Sequence, residues 1–214
     1  MSSDALLLAA ERMFAERGAN VPLRDIAAAA GQRNNSAVHY YFGDRDGLVA
    51  AIVVRRLEAV EATCSTLLPR LDKGDIQALV AALVASLLDA STDKGGKHYF
   101  QFLEVMRNQI KPWPTPPGGS AWNTITEWIS DLLDGATSTE RANRISAMAT
   151  TMFSLLADYE RKIDDPGDAG GACPEQIVVM LVGLLRAPFN TTQDLKPCLV
   201  DGLDPAGHRG DLRQ

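Results

Sequence analysis

The chain has 214 residues, of which 46% are hydrophobic and 22% are charged, and its formal net charge is -6. This hydrophobic content is sufficient for a folded core and excludes a chain that is disordered throughout. The acidic balance does not by itself indicate nucleic-acid binding, but residues 1–56 hold seven arginines against six carboxylates, so the acidic excess lies in the rest of the chain.

The first predicted helix follows the capping residues Ser3 and Asp4 and ends at Arg17, just before Gly18. Its apolar residues recur at helical spacing and form one face. We interpret Phe14 on this face as a core aromatic that braces the two helices that follow.

The next stretch predicts a helix-turn-helix. Apolar residues at helical spacing run from Leu23 to Ala30, Gly31 ends this run, and a second short helix is expected from Ser36 to Phe42 after a polar turn. A helix this short is not stable alone, so packing must hold it. A short, rigidly held helix with polar side chains at its N-terminal end is suited to the DNA major groove.

Polar residues at the start and on the outer side of this second helix are the candidates for contacts with bases. An arginine is suited to guanine and an asparagine to adenine, because each pair forms two hydrogen bonds in the major groove. The predicted base-contacting residues are Arg33, Asn34, Asn35, Ser36 and Tyr40.

The order of these features resembles the tetracycline-repressor (TetR) family of transcriptional regulators over roughly the first fifty residues. The residues that carry the resemblance are Ile26, Ala27, Ala30, Gly31, Ala37, Tyr40, Phe42, Arg45 and Leu48. The sequence departs from the family's pattern in a longer turn before the second helix, in His39 at the place of a tyrosine, and in Pro22 at the place of a capping threonine.

The resemblance implies that His39 and Arg45 lie where such regulators contact the DNA backbone. Asp44 can cap the long helix that follows, and Arg45 then lies in its first turn, where a cation is unfavourable without a partner. A DNA phosphate is one candidate partner for Arg45. Pairing with Asp44 or Asp46 is the other interpretation.

The remaining chain predicts further helices, and the fold class is therefore all-α. The long helix is expected to end near Leu68, and the later helices span 76–90, 97–110, 120–133, 138–163 and 173–186, with an irregular connection at 111–119. The predicted organisation is an N-terminal three-helix helix-turn-helix DNA-binding domain at 1–46, a helical ligand-binding and dimerisation domain at 47–190, and an irregular tail at 191–214.

The two late helices carry more apolar side chains than one buried stripe needs, so a partner surface is expected to use the excess. Val178 and Leu185 are predicted on the outward face of the last helix. Burial of both helices within one subunit is the alternative.

Aromatic and methionine side chains in the second part are candidates for the lining of a ligand cavity, since such cavities are mostly apolar with few polar anchors. The alternative is that most of them form ordinary core, and the expected ligand is small and apolar or amphipathic. The candidates are Phe100, Phe102, Met106, Arg107, Trp122, Trp128, Met148 and Met152.

Other site types find little support in the sequence. The three histidines are isolated from one another and from the three cysteines, which predicts no metal site, and no phosphate-binding loop or nucleophile elbow is present. We therefore predict no catalytic residue and no cofactor. Without a signal peptide or an apolar run of about 20 residues, the expected location is the cytoplasm, with free thiols and no membrane association.

The sequence thus predicts a homodimeric, DNA-binding transcriptional regulator that acts as a ligand-responsive repressor on a near-palindromic operator in double-stranded DNA. A helical protein-interaction module, or a DNA-binding regulator without a small-molecule ligand, is the alternative. An affinity for DNA that falls steeply as the salt concentration rises would distinguish the two DNA-binding hypotheses from the interaction module.

Overall fold

The computed structural model describes residues 3–32, 36–93, 96–106, 120–164 and 172–189, and these ranges contain helices and no strands. The predicted all-α fold is confirmed. The helices are α1 (Ser3–Arg17), α2 (Leu23–Ala29), α3 (Ser36–Phe42), α4 (Arg45–Leu67), α5 (Ile76–Thr92), α6 (Tyr99–Met106), α7 (Ala121–Asp131), α8 (Ser138–Asp164) and α9 (Pro174–Arg186), with a 3-10 turn at Leu68–Arg70.

Most predicted bounds agree with these within two residues. The helix predicted at 97–110 begins at Tyr99, and its last four positions lie outside the described residues, as do the connection at 111–119 and the tail at 191–214. No described helix is both long enough and apolar enough to cross a membrane.

Local capping explains where several helices begin. The Asp44 carboxylate accepts a hydrogen bond from the Gly47 amide at 2.8 Å and so starts α4, as the sequence predicted. Asp75 caps α5 through two backbone amides. The Ser120 hydroxyl accepts from the Asn123 amide and starts α7.

Two further helix starts are capped by carboxylates from distant parts of the chain. Glu160 of α8 accepts hydrogen bonds from the Phe100 and Gln101 amides at the start of α6, at 3.3 and 2.9 Å. Glu61 of α4 does the same for the first amides of α7. A carboxylate is favourable there, because free amides give a helix N-terminus a partial positive charge.

The apolar core runs through the whole described chain. α5 is its centre, because this strongly apolar helix packs against α4, α7 and α9, and α8 then packs against α6 and α9. The N-terminal helices join the same core, since α1 packs against α2, α4 and α6, and the Phe14 and Phe102 rings lie 6.1 Å apart. The division between residues 46 and 47 stays a prediction.

A buried arginine connects the N-terminal helices to the bundle. Arg56 of α4 is fully buried and donates from Nε and Nη2 to the two carboxylate oxygens of Glu11 on α1, at 2.9 and 2.7 Å. Its Nη1 donates to the carbonyl oxygens of Ala90 and Asp93 at the end of α5, and its guanidinium lies 5.4 Å from the centre of the Tyr99 ring on α6. We call this set of contacts the Arg56 junction; four helices meet at one charged group.

The charged part of the Arg56 junction is a buried ion pair between Arg56 and Glu11. Burial raises the pKa of the Glu11 carboxyl, and Arg56 opposes this rise through its charge and hydrogen bonds. Burial also raises the pKa of Tyr99, which keeps its hydroxyl neutral beside the pair. The pair therefore holds α1 on the bundle with little access to water.

The outward face of α9 differs from the prediction. Val178 is 8% exposed and Leu185 is buried, so both point into the bundle, whereas Val179 is 62% exposed and the neighbouring Met180 is also exposed. The assignment of Val178 and Leu185 to the outward face was wrong. Apolar residues cover nearly the whole circumference of α9, so periodicity could not identify the outward stripe.

Candidate nucleic-acid interface

α3 is held in place by one buried side chain and two neighbouring helices. Val38 is fully buried at the middle of the helix, Phe42 is half-buried at its end, and α3 packs against α2 and α4. Ile26 and Ala27 of α2 belong to the same core. A seven-residue helix is thereby fixed in orientation, which the sequence predicted as a requirement.

Glycines at two positions of positive φ set the geometry on either side of α3. Gly31 has a φ of 74°, and the hydrogen bonds from Gln32 to Ala27 and from Gly31 to Ala28 close the end of α2. Gly43 has a φ of 77° after α3. Side chains other than glycine rarely adopt this conformation, so both turns depend on glycine.

The outer side of α3 presents the polar and aromatic groups that the sequence singled out. Ser36, His39 and Tyr40 are exposed, and the Tyr40 side chain is 83% exposed. Tyr41, which the sequence reasoning missed, is also exposed, and its ring meets that of Tyr40 edge to face at 5.0 Å. Of the predicted base-contacting residues, Arg33, Asn34 and Asn35 lie outside the described residues.

His39 makes a contact that defines its tautomer. Nδ1 lies 2.7 Å from the carbonyl oxygen of Gly43, which can only accept, so Nδ1 carries the hydrogen. Nε2 of the neutral ring is then an acceptor. A contact from Nε2 to a DNA phosphate therefore requires the imidazolium form.

Arg45 has a structural role that sequence reasoning did not identify. Its Nη1 and Nη2 donate to the carbonyl oxygens of Ala19 and Val21 at 2.7 and 2.6 Å, and its guanidinium lies 5.6 Å from the centre of the Phe14 ring. These bonds fasten the start of α4 to the turn between α1 and α2. The two carbonyl oxygens, each with a partial negative charge, also offset the unfavourable position of a cation at a helix N-terminus. A phosphate contact by Arg45 stays a prediction.

The predicted ligand residues are distributed between the core and one helix surface. Phe100, Phe102, Met106, Met148 and Met152 are buried in the core, in line with the alternative interpretation of these residues. Trp122 and Trp128 are half-buried on α7, where the Lys73 ammonium lies 4.6 Å from the centre of the Trp128 ring. Arg107 lies outside the described residues.

A cavity of about 510 Å³ opens between α5, α6 and α8, and we call it the α5/α6/α8 cavity. Of the predicted ligand residues, Phe100 is among those that line it, and Tyr159 of α8 also lies in the lining. Among the described residues, the lining is formed by Leu88, Ser91, Thr92, Lys97, Phe100, Tyr159, Glu160 and Ile163. Within the described ranges, no three His, Cys, Asp or Glu side chains come close enough together to hold a metal ion.

Comparison with known proteins identifies the N-terminal part. Residues 6–52 match the sequence model of "Bacterial regulatory proteins, tetR family". A solved TetR family transcription regulator from Marinobacter aquaeolei VT8 is 16% identical, with 85% of this chain and 92% of that chain covered and a TM-score of 0.50. None of the curated proteins matches the chain.

Two other solved structures are similar at lower TM-scores. A putative transcriptional regulator from Rhodococcus sp. RHA1 is 21% identical, covers 87% of this chain and 96% of its own, and has a TM-score of 0.42. NalD of Pseudomonas aeruginosa, the secondary repressor of the MexAB-OprM multidrug efflux pump, is 21% identical, covers 85% and 92%, and has a TM-score of 0.44.

Proposed function

We propose that this chain, which has the DNA-binding domain and the fold of the tetR family of bacterial regulatory proteins, is a repressor that binds its operator as a homodimer and responds to a small molecule. DNA binding is the part of this function that the family match supports. The observation that carries it is α3, a short helix fixed by Val38 with exposed polar and aromatic side chains on its outer face.

For DNA recognition, we propose that bases are contacted by Ser36 and Tyr40 together with Arg33, Asn34 and Asn35. His39 and Arg45 contact the backbone in this proposal. The exposure of Tyr40 supports a contact with DNA bases, because its side chain does not pack in the core and is accessible from outside. Arg45 acts mainly by holding the start of α4, so its loss weakens binding by misplacing the helices as well as by removing a charge.

Dimerisation through α8 and α9 is supported by the exposed apolar side chains of α9. Val179, Met180 and Gly183 lie on one side of this helix and are exposed in the single chain. Two recognition helices must lie roughly 34 to 36 Å apart to enter successive major grooves, which a single chain cannot achieve. A dimer also makes enough contacts for specificity on a near-palindromic site.

The response to a ligand rests on the Arg56 junction and the α5/α6/α8 cavity. The junction connects α1 of the DNA-binding domain with α5 and α6. A change in the relative position of α5 and α6 therefore alters the contacts that hold α1 in place. In a dimer, a modest reorientation of the recognition helices suffices to prevent joint binding.

The proposed function is tested by selecting DNA sites from a random pool with the full-length protein and measuring binding by fluorescence anisotropy at several salt concentrations. We expect a near-palindromic site and affinity that falls steeply with salt, as counterion release requires. Wild-type protein that selects no sequence, and whose retention on DNA does not depend on salt, would contradict DNA recognition and favour the helical protein-interaction module.

A further inference from the structure

Gly96, between α5 and α6, lies directly against the guanidinium of Arg56. A methyl group at this position would overlap Nη2 of Arg56, and it would lie 2.7 Å from Cζ of Arg56 and 2.8 Å from the Ser91 carbonyl oxygen. Gly96 is buried and is not one of the glycines with a positive φ, so its backbone conformation is open to alanine. The close contact with Arg56 is therefore the reason that this position requires glycine.

The Arg56 guanidinium cannot withdraw from this contact without losing its partners. Nη2 donates to the Glu11 carboxylate at 2.7 Å, and Nη1 donates to the carbonyl oxygens of Ala90 and Asp93 at the end of α5. The same group lies 5.4 Å from the centre of the Tyr99 ring. These hydrogen bonds are charge-assisted and Arg56 is fully buried, so a displaced guanidinium would leave its charge without partners inside the protein.

One nitrogen atom of Arg56 thus meets both Gly96 and Glu11. Gly96 approaches Nη2 from the chain that leads into α6, and the Glu11 carboxylate accepts a hydrogen bond from the same atom on the side of α1. In a close-packed interior, the displacement of one group is passed to its neighbour, because there is no empty space to absorb it. A movement of Gly96 towards Arg56 therefore disturbs the bond to Glu11 and the position of α1.

A displacement of α1 reaches the recognition helix α3 through the packing of the N-terminal helices. α1 packs against α2, and α2 packs against α3. α3 also packs against α4, which carries Arg56. The two helices that support α3 are thus connected to the two sides of the Glu11–Arg56 pair, α2 through α1 and α4 directly.

We propose that Gly96 is a positioning residue for DNA recognition. Its backbone fixes the guanidinium of Arg56, the pairing of Arg56 with Glu11 fixes α1 relative to α4, and these helices orient α3. The start of α6 thereby controls DNA affinity through one backbone contact. This inference names the residue through which α6 acts on the DNA-binding helices, and its effect on DNA affinity rests on the proposed function.

Gly96→Ala tests the proposal, and Gly74→Ala is the matched control. Gly74 precedes α5, and a methyl group there would make an ordinary contact at 3.5 Å with the Asp72 side chain. We expect Gly96→Ala to weaken binding to the selected DNA site about tenfold in anisotropy titrations, and Gly74→Ala to change it by less than about twofold. Equal effects of the two substitutions would overturn the proposal and leave the proposed DNA-binding function in place.

A double-variant cycle with Arg56→Lys separates this contact from a general loss of packing. Lysine keeps the positive charge but lacks Cζ and Nη2, the two Arg56 atoms that the added methyl group would meet. In the Arg56→Lys background, we expect Gly96→Ala to weaken DNA binding by less than about threefold, against about tenfold in the wild-type background. The same factor in both backgrounds would show a defect that does not involve Arg56 and would refute the proposal.

Hydrogen exchange measured by mass spectrometry provides a result that does not require DNA. In Gly96→Ala, α1 amides should exchange faster than in the wild type, while α9 amides keep their protection because α9 contributes no residue to the Arg56 junction. Equal loss of protection in α1 and α9 would mean that the variant opens as a whole, which contradicts a local effect of Gly96 on α1.

Wild-type protein supplies the last measurement, which does not depend on the folding of any variant. Coupling between two parts of a protein is reciprocal, so binding of the selected DNA should slow exchange at the start of α6 more than in α7, which contributes no residue to the junction. Protection by DNA that is no greater in α6 than in α7 would exclude the proposed coupling. If wild-type protein selects no DNA site, the proposed function fails, and the exchange of α1 in Gly96→Ala then decides whether Gly96 positions α1.

Discussion

Replacing Glu11 by Gln should destabilise the whole fold, because it leaves the Arg56 charge buried without a carboxylate. Arg56 makes two charge-assisted hydrogen bonds to Glu11 inside the protein, and each such bond is worth about 1.5 to 3 kcal/mol. A glutamine oxygen preserves one of them in neutral form. We therefore expect a loss of about 3 kcal/mol in the free energy of unfolding, at the low end for breaking a buried ion pair.

Urea unfolding followed by circular dichroism measures this loss. With a slope of about 2 to 3 kcal/mol per molar for a chain of this size, the midpoint should move down by about 1 M. Arg161→Ala is the control, since Arg161 pairs with Glu104 and Asp158 on the protein surface, where such pairs contribute about 0 to 1 kcal/mol.

A double variant, Glu11→Leu with Arg56→Met, removes both charges at once and should be more stable than Glu11→Gln. Burying two apolar side chains of similar length avoids the cost of a buried unpaired charge. If Glu11→Gln costs no more than the surface control, or if the double variant is less stable than Glu11→Gln, the cost of a buried unpaired charge does not determine the stability of these variants.

Four further changes test other parts of the structure. Tyr40→Ala should lower DNA affinity by about 1 to 3 kcal/mol in anisotropy titrations while unfolding stays within about 0.5 kcal/mol, since the side chain is exposed; equal loss in both would place it in the core. Arg45→Ala should lower unfolding stability by about 1 to 3 kcal/mol through its two carbonyl contacts, and a loss confined to DNA binding would deny that role. Val179→Glu should give a folded monomer in sedimentation, and a variant that remains dimeric would place the interface elsewhere. Hydrogen bonds from Thr137 hold the pKa of Glu140 below its usual value of about 4.5, so stabilisation is present above that pH and is lost as the pH falls through the lowered pKa; Glu140→Gln should remove this part of the acid dependence of unfolding.

Short-range signals in the sequence predicted the element bounds well. The end of α2 and the starts of α4 and α9 lie near the expected residues, because glycine at 31, aspartate at 44 and proline at 174 mark these helix ends through local backbone geometry. Tyr40 was predicted on the outer side of α3, and it is exposed there. These signals depend on neighbours within four residues, which a sequence displays directly.

Contacts between distant residues could not be predicted in the same way. Arg45 binds carbonyl oxygens 24 and 26 residues earlier, and Glu160 caps a helix about 60 residues away. Backbone carbonyls and amides are present at every position, so the sequence carries no sign of which of them a charged side chain will meet. The pairing of Glu11 with Arg56 required the fold for the same reason.

The packing of α1 on α6 means that the N-terminal helices are not an independent folding unit. Phe14 shares its surroundings with Phe102, and Glu11 finds its counter-charge on α4 beyond the segment that matches the family model. A fragment that stops near residue 52 would expose this face of α1 and leave Glu11 unpaired. Unfolding of the intact chain should therefore be a single cooperative transition, in which any compound that stabilises the bundle also raises the melting temperature of the DNA-reading helices.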